Sequence, residues 1–247
     1  MEKTLSITKM YEELKEQKYS FSTPEMLDLP EGLDEAKALL WKDWDNLEVD
    51  GYLEKGRTFR RRRLGYYYWH PITEELLVLP KHTMFQSVDT NWYSGGMDRQ
   101  YIPISQESMD NPFLQALIRF TLSQFPMSPE TANKPWEINV HEVRVVGKVD
   151  ETGEPTPEGI HNDGDDFTCN FFVQKKNVVG GVNGVYDLNK QPIEKATLNR
   201  QLECLWLHDP YVMHDVSAIY PKDPAEPAIR DMLLLGFIST PDLQRPE

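Results

Sequence analysis

After Pro135 the chain consists of short apolar segments separated by turn-forming residues, and this pattern constrains the fold more than any other feature of the sequence. Segments of this length, bounded by glycine, asparagine, aspartate and proline, are typical of β-strands. The turn signals include Gly180-Gly181 and Asp209-Pro210. We therefore predict strands at 136–146, 167–174, 178–187, 203–208, 211–217 and 230–239.

The residues before this region predict helices followed by an earlier strand. Apolar residues lie near helical spacing at 7–20, 33–46 and 111–125, and an aromatic, strand-like stretch begins at Thr58. No repeat or linker divides the chain. We predict a mainly β protein with flanking helices (α+β), a cupin-like jelly roll, forming a single domain over 1–247. Its helical part covers about 1–50 and its jelly-roll core about 56–240.

Composition indicates a soluble, cytoplasmic globular protein. Hydrophobic residues make up 39% and charged residues 27% of the chain, as in ordinary soluble domains. No apolar run reaches the roughly 18 residues needed to cross a bilayer, and the N-terminus lacks the apolar region of a secretory signal. Cys169 and Cys204 are the only cysteines, and both fit buried free thiols in a reducing compartment.

The net charge of −14 argues against nucleic acid as a partner, unless a local basic patch intervenes. The basic run is Arg57 to Arg63, which contains five arginines. On a strand, alternate arginines would face opposite sides, so some would point into the protein and need an anion there. The favoured interpretation is a set of structural ion pairs; binding of a substrate carboxylate by one arginine stays open.

Four residues are candidates for chemistry. His161 and Asp163 are two apart, His214 follows in a predicted strand, and Arg230 opens the last strand. Two imidazoles and a carboxylate can hold Fe(II) on one face of an octahedron and leave the other face open. Arg230 is the cation that a dicarboxylate co-substrate needs at its far end. The spacing predicts an iron- and 2-oxoglutarate-dependent oxygenase.

Further segments resemble the 2-oxoglutarate/Fe(II) dioxygenases of the double-stranded β-helix fold. The resemblance is closer to the bacterial group that hydroxylates free aliphatic L-amino acids, the L-isoleucine 4-hydroxylase group, and covers about 50–240. The segments are 95–100 (Gly-Gly-Met-Asp-Arg-Gln), 140–144 (Val-His-Glu-Val-Arg), 179–183 (Val-Gly-Gly-Val-Asn) and 228–234 (Ala-Ile-Arg-Asp-Met-Leu-Leu). The N-terminal region and 148–158 match less well.

The resemblance implies a reaction and its cofactors. His161, Asp163 and His214 would be the catalytic iron ligands, Arg230 would bind 2-oxoglutarate, and O2 would be the oxidant, with ascorbate as an activator in vitro. The products would be succinate, CO2 and a hydroxylated substrate. Related halogenases carry a small residue in place of the carboxylate, so Asp163 favours hydroxylation; desaturation, sulfoxidation and cyclisation stay open.

For the substrate, a small free amino acid with an aliphatic C–H bond, we predict three contact residues. Arg144 is the first candidate because it lies on a predicted core strand, Arg99 is the second, and His141 is the third. A structural role stays open for each of them. The alternatives are an oxygenase of the same fold that acts on a protein side chain or a natural-product intermediate, and a non-catalytic binding module. No membrane partner is expected, and a homodimer is possible.

Overall fold

The computed structural model describes residues 8–246. Within them, the α-helices are α1 (Lys9–Glu16), α2 (Asp34–Leu40), α3 (Gln106–Met109) and α4 (Pro112–Ser123), and 3-10 turns cover Pro24–Met26, Trp41–Asn46 and Asp209–Tyr211. The strands are β1 (Tyr19–Ser22), β2 (Arg60–His70), β3 (Glu75–Leu79), β4 (Thr83–Phe85), β5 (Asp98–Gln100), β6 (Trp136–Gly147), β7 (Phe167–Lys176), β8 (Val178–Gly180), β9 (Asn183–Tyr186), β10 (Pro192–Ala196), β11 (Cys204–Leu207), β12 (Met213–Val216), β13 (Ile219–Pro221) and β14 (Ala228–Ser239).

The helices lie where the apolar spacing placed them, with shorter bounds. The predicted start at residue 7 falls outside the described residues, and α1 is followed by Lys18 with a φ of 74°. The second helix tightens into the 3-10 turn after Leu40. α4 begins after Asn111, whose side-chain oxygen accepts from the backbone N–H groups of Phe113 and Leu114. Pro112 occupies the first position of the helix, where no N–H group is needed.

The strand predictions are less exact where glycines lie in a strand. The predicted strand at 178–187 is two strands, β8 and β9, because Gly180 and Gly181 have φ values of 90° and 69°. A Cβ on Gly180 would lie 2.0 Å from the backbone oxygen of Ala218, so glycine is required there. β10 and β13 were not predicted, because their polar and proline-rich sequences have weak strand character.

Seven antiparallel strands form the main sheet, in the order β1-β11-β7-β14-β6-β2-β3. Smaller sheets have the orders β10-β9-β12, β13-β8 and β4-β5. A cavity between the main sheet and the β9–β12 sheet is lined by residues of both. This is the expected jelly roll, mainly β with flanking helices.

The two faces of the main sheet have different roles, because successive side chains of a strand point to opposite sides. One face carries Ile138, Val140 and Leu233, and packs against α4, whose large apolar side chains are buried. Each such burial contributes about 1.5–3 kcal/mol. The opposite face of the sheet lines the cavity.

Among the described residues, no helix has the length and apolar character to span a bilayer.

Glu142 is a buried acid on the helix-facing side of β6, and it makes the stability depend on pH. Its side chain is 1% exposed, and neither carboxylate oxygen has a hydrogen-bond partner among the described residues. Burial, and then the charge of Asp43, raise the pKa of Glu142 well above its usual range. The folded state therefore favours the neutral acid.

We expect the free energy of unfolding to fall as pH rises from the ordinary glutamate pKa towards the raised native pKa, by up to about 1.4 kcal/mol per pH unit. Glu142→Gln removes this loss and is the more stable protein at neutral pH. Urea unfolding from pH 5 to 8 measures the difference, with the exposed Glu31→Gln as control. A stability difference that does not change with pH contradicts the assignment.

Candidate metal centre

His161 and His214 lie directly opposite each other on neighbouring backbone segments. The N–H of His161 donates to the carbonyl of His214 at 3.0 Å, and the N–H of His214 donates back at 2.9 Å. Residues that exchange both hydrogen bonds in an antiparallel pair present their side chains on the same side. The two ring centroids are 4.4 Å apart. Strand pairing thus brings together two imidazoles that are far apart in sequence.

Asp163 completes a group of three donors. Its Oδ1 lies 3.4 Å from Nε2 of His161, and its Oδ2 lies 3.7 Å from Nε2 of His214. The candidate ligand atoms all lie within 4.8 Å of one another. Both histidines are buried, and Asp163 is partly buried. Two imidazole nitrogens and one carboxylate oxygen at this separation fit a divalent iron ion.

Nε2 of each histidine lies beside the Asp163 carboxylate, but only in His161 does the other ring nitrogen have a partner, because Nδ1 of His214 is buried without one among the described residues. Nδ1 of His161 lies 2.9 Å from the carbonyl oxygen of Gly159, and such a contact fixes the orientation of a metal-binding ring. Burial lowers the pKa of His214 to about 4, which keeps this imidazole neutral. Burial also opposes the charged form of His161, but the hydrogen bond and charge of Asp163 outweigh it and raise its pKa to about 9. A metal ion bound at Nε2 would take the place of that proton.

Asp209 holds the loop that carries Asp163. One of its carboxylate oxygens accepts the N–H of Asp163 at 3.0 Å, and the other accepts the N–H of Gly164 at 2.9 Å. The side chain of Asn162 donates to the carbonyls of Asp209 and Val212. The loop is therefore tied to the segment just before β12, which carries His214. Asp209 was predicted only as part of the Asp209-Pro210 turn and not as a residue of the site.

Arg230 lies on β14 and lines the same cavity as the three donors. It is 3% exposed, and its Nη2 donates to the side-chain oxygen of Asn183 at 3.3 Å. Burial lowers its pKa to about 10, so the guanidinium is still charged at neutral pH. No carboxylate of the described residues lies within 4.0 Å of it. Arg230 is a buried cation whose donors remain available to an anion.

Arg144, the first candidate for substrate binding, faces away from the cavity. It is bound to Asp231 through two hydrogen bonds of 2.8 Å, from Nε and Nη2. Arg144 and Asp231 are paired across β6 and β14, on the face opposite to Arg230. The prediction that Arg144 contacts substrate does not fit this placement, because the alternation of side chains on β6 turns it towards the helices. Because Asp231 lies on the same face as Arg144, it does not form an ion pair with Arg230.

Arg99 and His141 do line the cavity. Arg99 is 1% exposed, donates from Nη1 to Ser94 at 2.9 Å, and donates from Nη2 to the side-chain oxygen of Gln86. The amide of Gln86 donates in turn to the backbone oxygen of Asp163 at 2.7 Å. Burial, and then the charge of Arg62, lower the pKa of His141 well below its usual range, so it is neutral.

The empty space in and in front of the cavity is about 920 Å³, open solvent included. Beyond the predicted residues the cavity is lined by Arg60 and Arg62 on β2, by Glu158 and by Asn183. Alternation on β2 sends Arg61 and Arg63 outward, where Arg63 pairs with Glu48 at 2.8 Å. The alternation of side chains along a strand indicated that some arginines of the basic run, here Arg60 and Arg62, would face inward. Glu158 lies in a loop, and no sequence pattern predicted its position.

The comparisons with known proteins agree with this geometry. Residues 42–236 match the family described as 2OG-Fe dioxygenase. The L-isoleucine-4-hydroxylase of Bacillus thuringiensis is 26% identical over 197 residues, which are 79% of this chain and 80% of that enzyme. A solved structure of a bsmA homologue from Methylobium petroleophilum PM1 is 30% identical with a TM-score of 0.80, covering 96% of this chain and 94% of that chain.

A second solved structure, of IDO from Bacillus thuringiensis, has a TM-score of 0.78 at 20% identity and covers 95% of this chain and 96% of that chain. This likeness concerns the fold. The family match spans most of the chain, from the turn after α2 to within β14. The chain therefore belongs to the 2OG-Fe dioxygenase family, and the expected family resemblance is confirmed.

Proposed function

We propose that this dioxygenase hydroxylates an aliphatic C–H bond of a small free L-amino acid, while 2-oxoglutarate is converted to succinate and CO2. The observation that carries the proposal is one cavity that holds the three metal donors, Arg230 and further charged side chains. Side chains of two sheets and of the adjoining loops surround this cavity, which suits a small molecule better than a protein side chain. Similarity to an L-isoleucine-4-hydroxylase supports the same substrate class.

The residues have distinct roles in this proposal. His161, Asp163 and His214 hold Fe(II), and Arg230 pairs with the far carboxylate of 2-oxoglutarate in a charge-assisted contact. Bound Fe(II) supplies the activation of O2 that decarboxylation of 2-oxoglutarate and attack on a C–H bond require. The chain itself positions one C–H bond and excludes bulk water. Asp163 occupies the carboxylate position, which favours hydroxylation as the outcome.

A panel experiment tests the substrate class. The purified protein is incubated with Fe(II), 2-oxoglutarate and ascorbate, and each proteinogenic L-amino acid is added separately. We expect at least one apolar amino acid to stimulate succinate formation and to gain one oxygen atom by mass spectrometry. Loss of two hydrogens instead identifies desaturation or cyclisation. If no amino acid stimulates turnover, the free-amino-acid proposal is wrong, while the family assignment stands.

Removal of one imidazole tests the metal centre. For His161→Ala and His214→Ala we expect loss of Fe(II) binding in anaerobic calorimetry and a fall in succinate formation of at least about 100-fold, because changes outside the ligand set already cost 10–100-fold. His70 does not line the cavity, and His70→Ala is the matched control. Unaltered Fe(II) affinity in folded His161→Ala and His214→Ala contradicts the ligand assignment.

Arg230 tests the co-substrate site. Loss of one partner of a buried charge pair costs about 2–5 kcal/mol, so we expect Arg230→Gln to raise the KM for 2-oxoglutarate at least about 30-fold. Arg144→Lys is the control, since it keeps a cation beside Asp231 on the other face of the sheet. Steady-state kinetics with varied 2-oxoglutarate measure both variants. If Arg230→Gln and Arg144→Lys change the KM for 2-oxoglutarate equally, the proposed role of Arg230 is wrong.

A further inference from the structure

The wall of the cavity formed by β2 carries cations that the proposed iron and 2-oxoglutarate sites do not use. Arg60 on β2 pairs with Val145 on β6, and Val145 pairs with Arg230 on β14. Arg60 and Arg230 are therefore on one face of the sheet, with their Cα atoms two strands, or about 10 Å, apart. Arg62 lies one row further along the same face, opposite Val143. Arg60 and Arg62 therefore line a different wall of the cavity from Arg230.

Arg60 and Arg62 differ in how well they are paired. Nε of Arg60 donates to Oδ2 of Asp50 at 2.8 Å, in a pair that is almost fully buried. Nε of Arg62 is 3.8 Å from that same oxygen and has no hydrogen-bond partner among the described residues. The guanidinium of Arg62 lies 5.4 Å from the ring centroid of Tyr101, which holds it in place. Arg62 is thus an oriented cation with unused donors.

Glu158 is the complementary anion. Its side chain is 11% exposed, and its Oε1 lies 3.4 Å from Nε2 of His161. Among the described residues, this histidine nitrogen is the only cationic group within 4.0 Å of the Glu158 carboxylate, and the proposed metal uses it. The backbone is held in place, because the carbonyl of Glu158 accepts from the indole of Trp92 at 2.7 Å and Gly159 turns the chain with a φ of 77°.

We infer that Arg62 and Glu158 form a clamp for the two charged ends of an α-amino acid. Arg62 binds the carboxylate and Glu158 binds the ammonium group. The inference rests on the proposed function and adds the residues that recognise the substrate. Both side chains line one cavity, yet no Arg62 nitrogen lies within 4.0 Å of a Glu158 oxygen. A buried, incompletely paired charge is costly, and a zwitterion placed between them satisfies both at once.

Nearby side chains suit the rest of such a ligand. Nε of Arg99 and Nδ1 of His141 are buried without hydrogen-bond partners among the described residues, and both side chains line the cavity. They offer further polar contacts beside Arg62. The apolar part of the lining includes Val143, Met84 and Val216, which match an aliphatic side chain. The wall therefore combines two opposite charges with an apolar surface.

Anaerobic calorimetry tests the clamp. The protein, loaded with Fe(II) and 2-oxoglutarate, is titrated with the amino acid that best stimulates succinate formation in the panel, with its deamino acid and with its amide. We expect the intact protein to bind either analogue at least about 30-fold more weakly than the amino acid. Arg62→Gln should weaken binding of the amino acid at least about 30-fold and should bind the amino acid and its amide equally. Glu158→Gln should bind the amino acid and its deamino acid equally.

Controls separate this result from a loss of structure. Arg61→Gln removes the neighbouring outward arginine, Glu154→Gln removes an acid paired with Arg57, and both should keep the selectivity. Arg62→Lys should recover part of the preference for acid over amide. If folded Arg62→Gln and Glu158→Gln keep both preferences, the clamp is wrong and the proposed function stands. If no amino acid is turned over or bound by the unaltered protein, both fail.

Discussion

The reciprocal backbone hydrogen bonds between His161 and His214 are the contact on which the rest of the site depends. They place two imidazoles side by side without any contribution from the side chains themselves. Asp209 then ties the Asp163 loop to the chain leading into β12. The arrangement of the three donors is therefore set by one reciprocal pair of backbone hydrogen bonds and by one side chain, Asp209, which accepts the backbone N–H groups of the Asp163 loop.

The alternation of side chains across the main sheet divides structural from chemical charges. Arg230 and Asp231 are adjacent in sequence but lie on opposite faces; Asp231 binds Arg144, whereas Arg230 lies in the cavity. The same division separates Arg62 from Arg63 on β2. On the helix side Arg63 and Arg144 are paired with carboxylates, whereas on the cavity side Arg230 has no carboxylate within 4.0 Å among the described residues and Arg62 has an unpartnered Nε. One sheet thus provides both a core and a reactive surface.

Much of this arrangement was predictable from the sequence, and the exceptions have physical causes. The jelly roll and its strands follow from apolar runs between turn residues, and His161, Asp163, His214 and Arg230 do lie around one cavity, as predicted. Arg144 lies on the other face because the phase of a strand, buried on both sides, cannot be read from its composition. The place of Glu158 in the cavity could not be predicted, because a loop residue is positioned by tertiary contacts such as the hydrogen bond from Trp92 to its carbonyl.

Gly181 shows how a residue without a side chain can set the limits of a binding site. A Cβ at this position would lie 3.2 Å from Cδ of Arg230, and its φ of 69° disfavours any other residue. The stem of Arg230 rests in the space that a larger residue would fill. If Arg230 binds 2-oxoglutarate as proposed, a larger residue at position 181 would displace its guanidinium and change the length of keto acid that fits between it and the three metal donors.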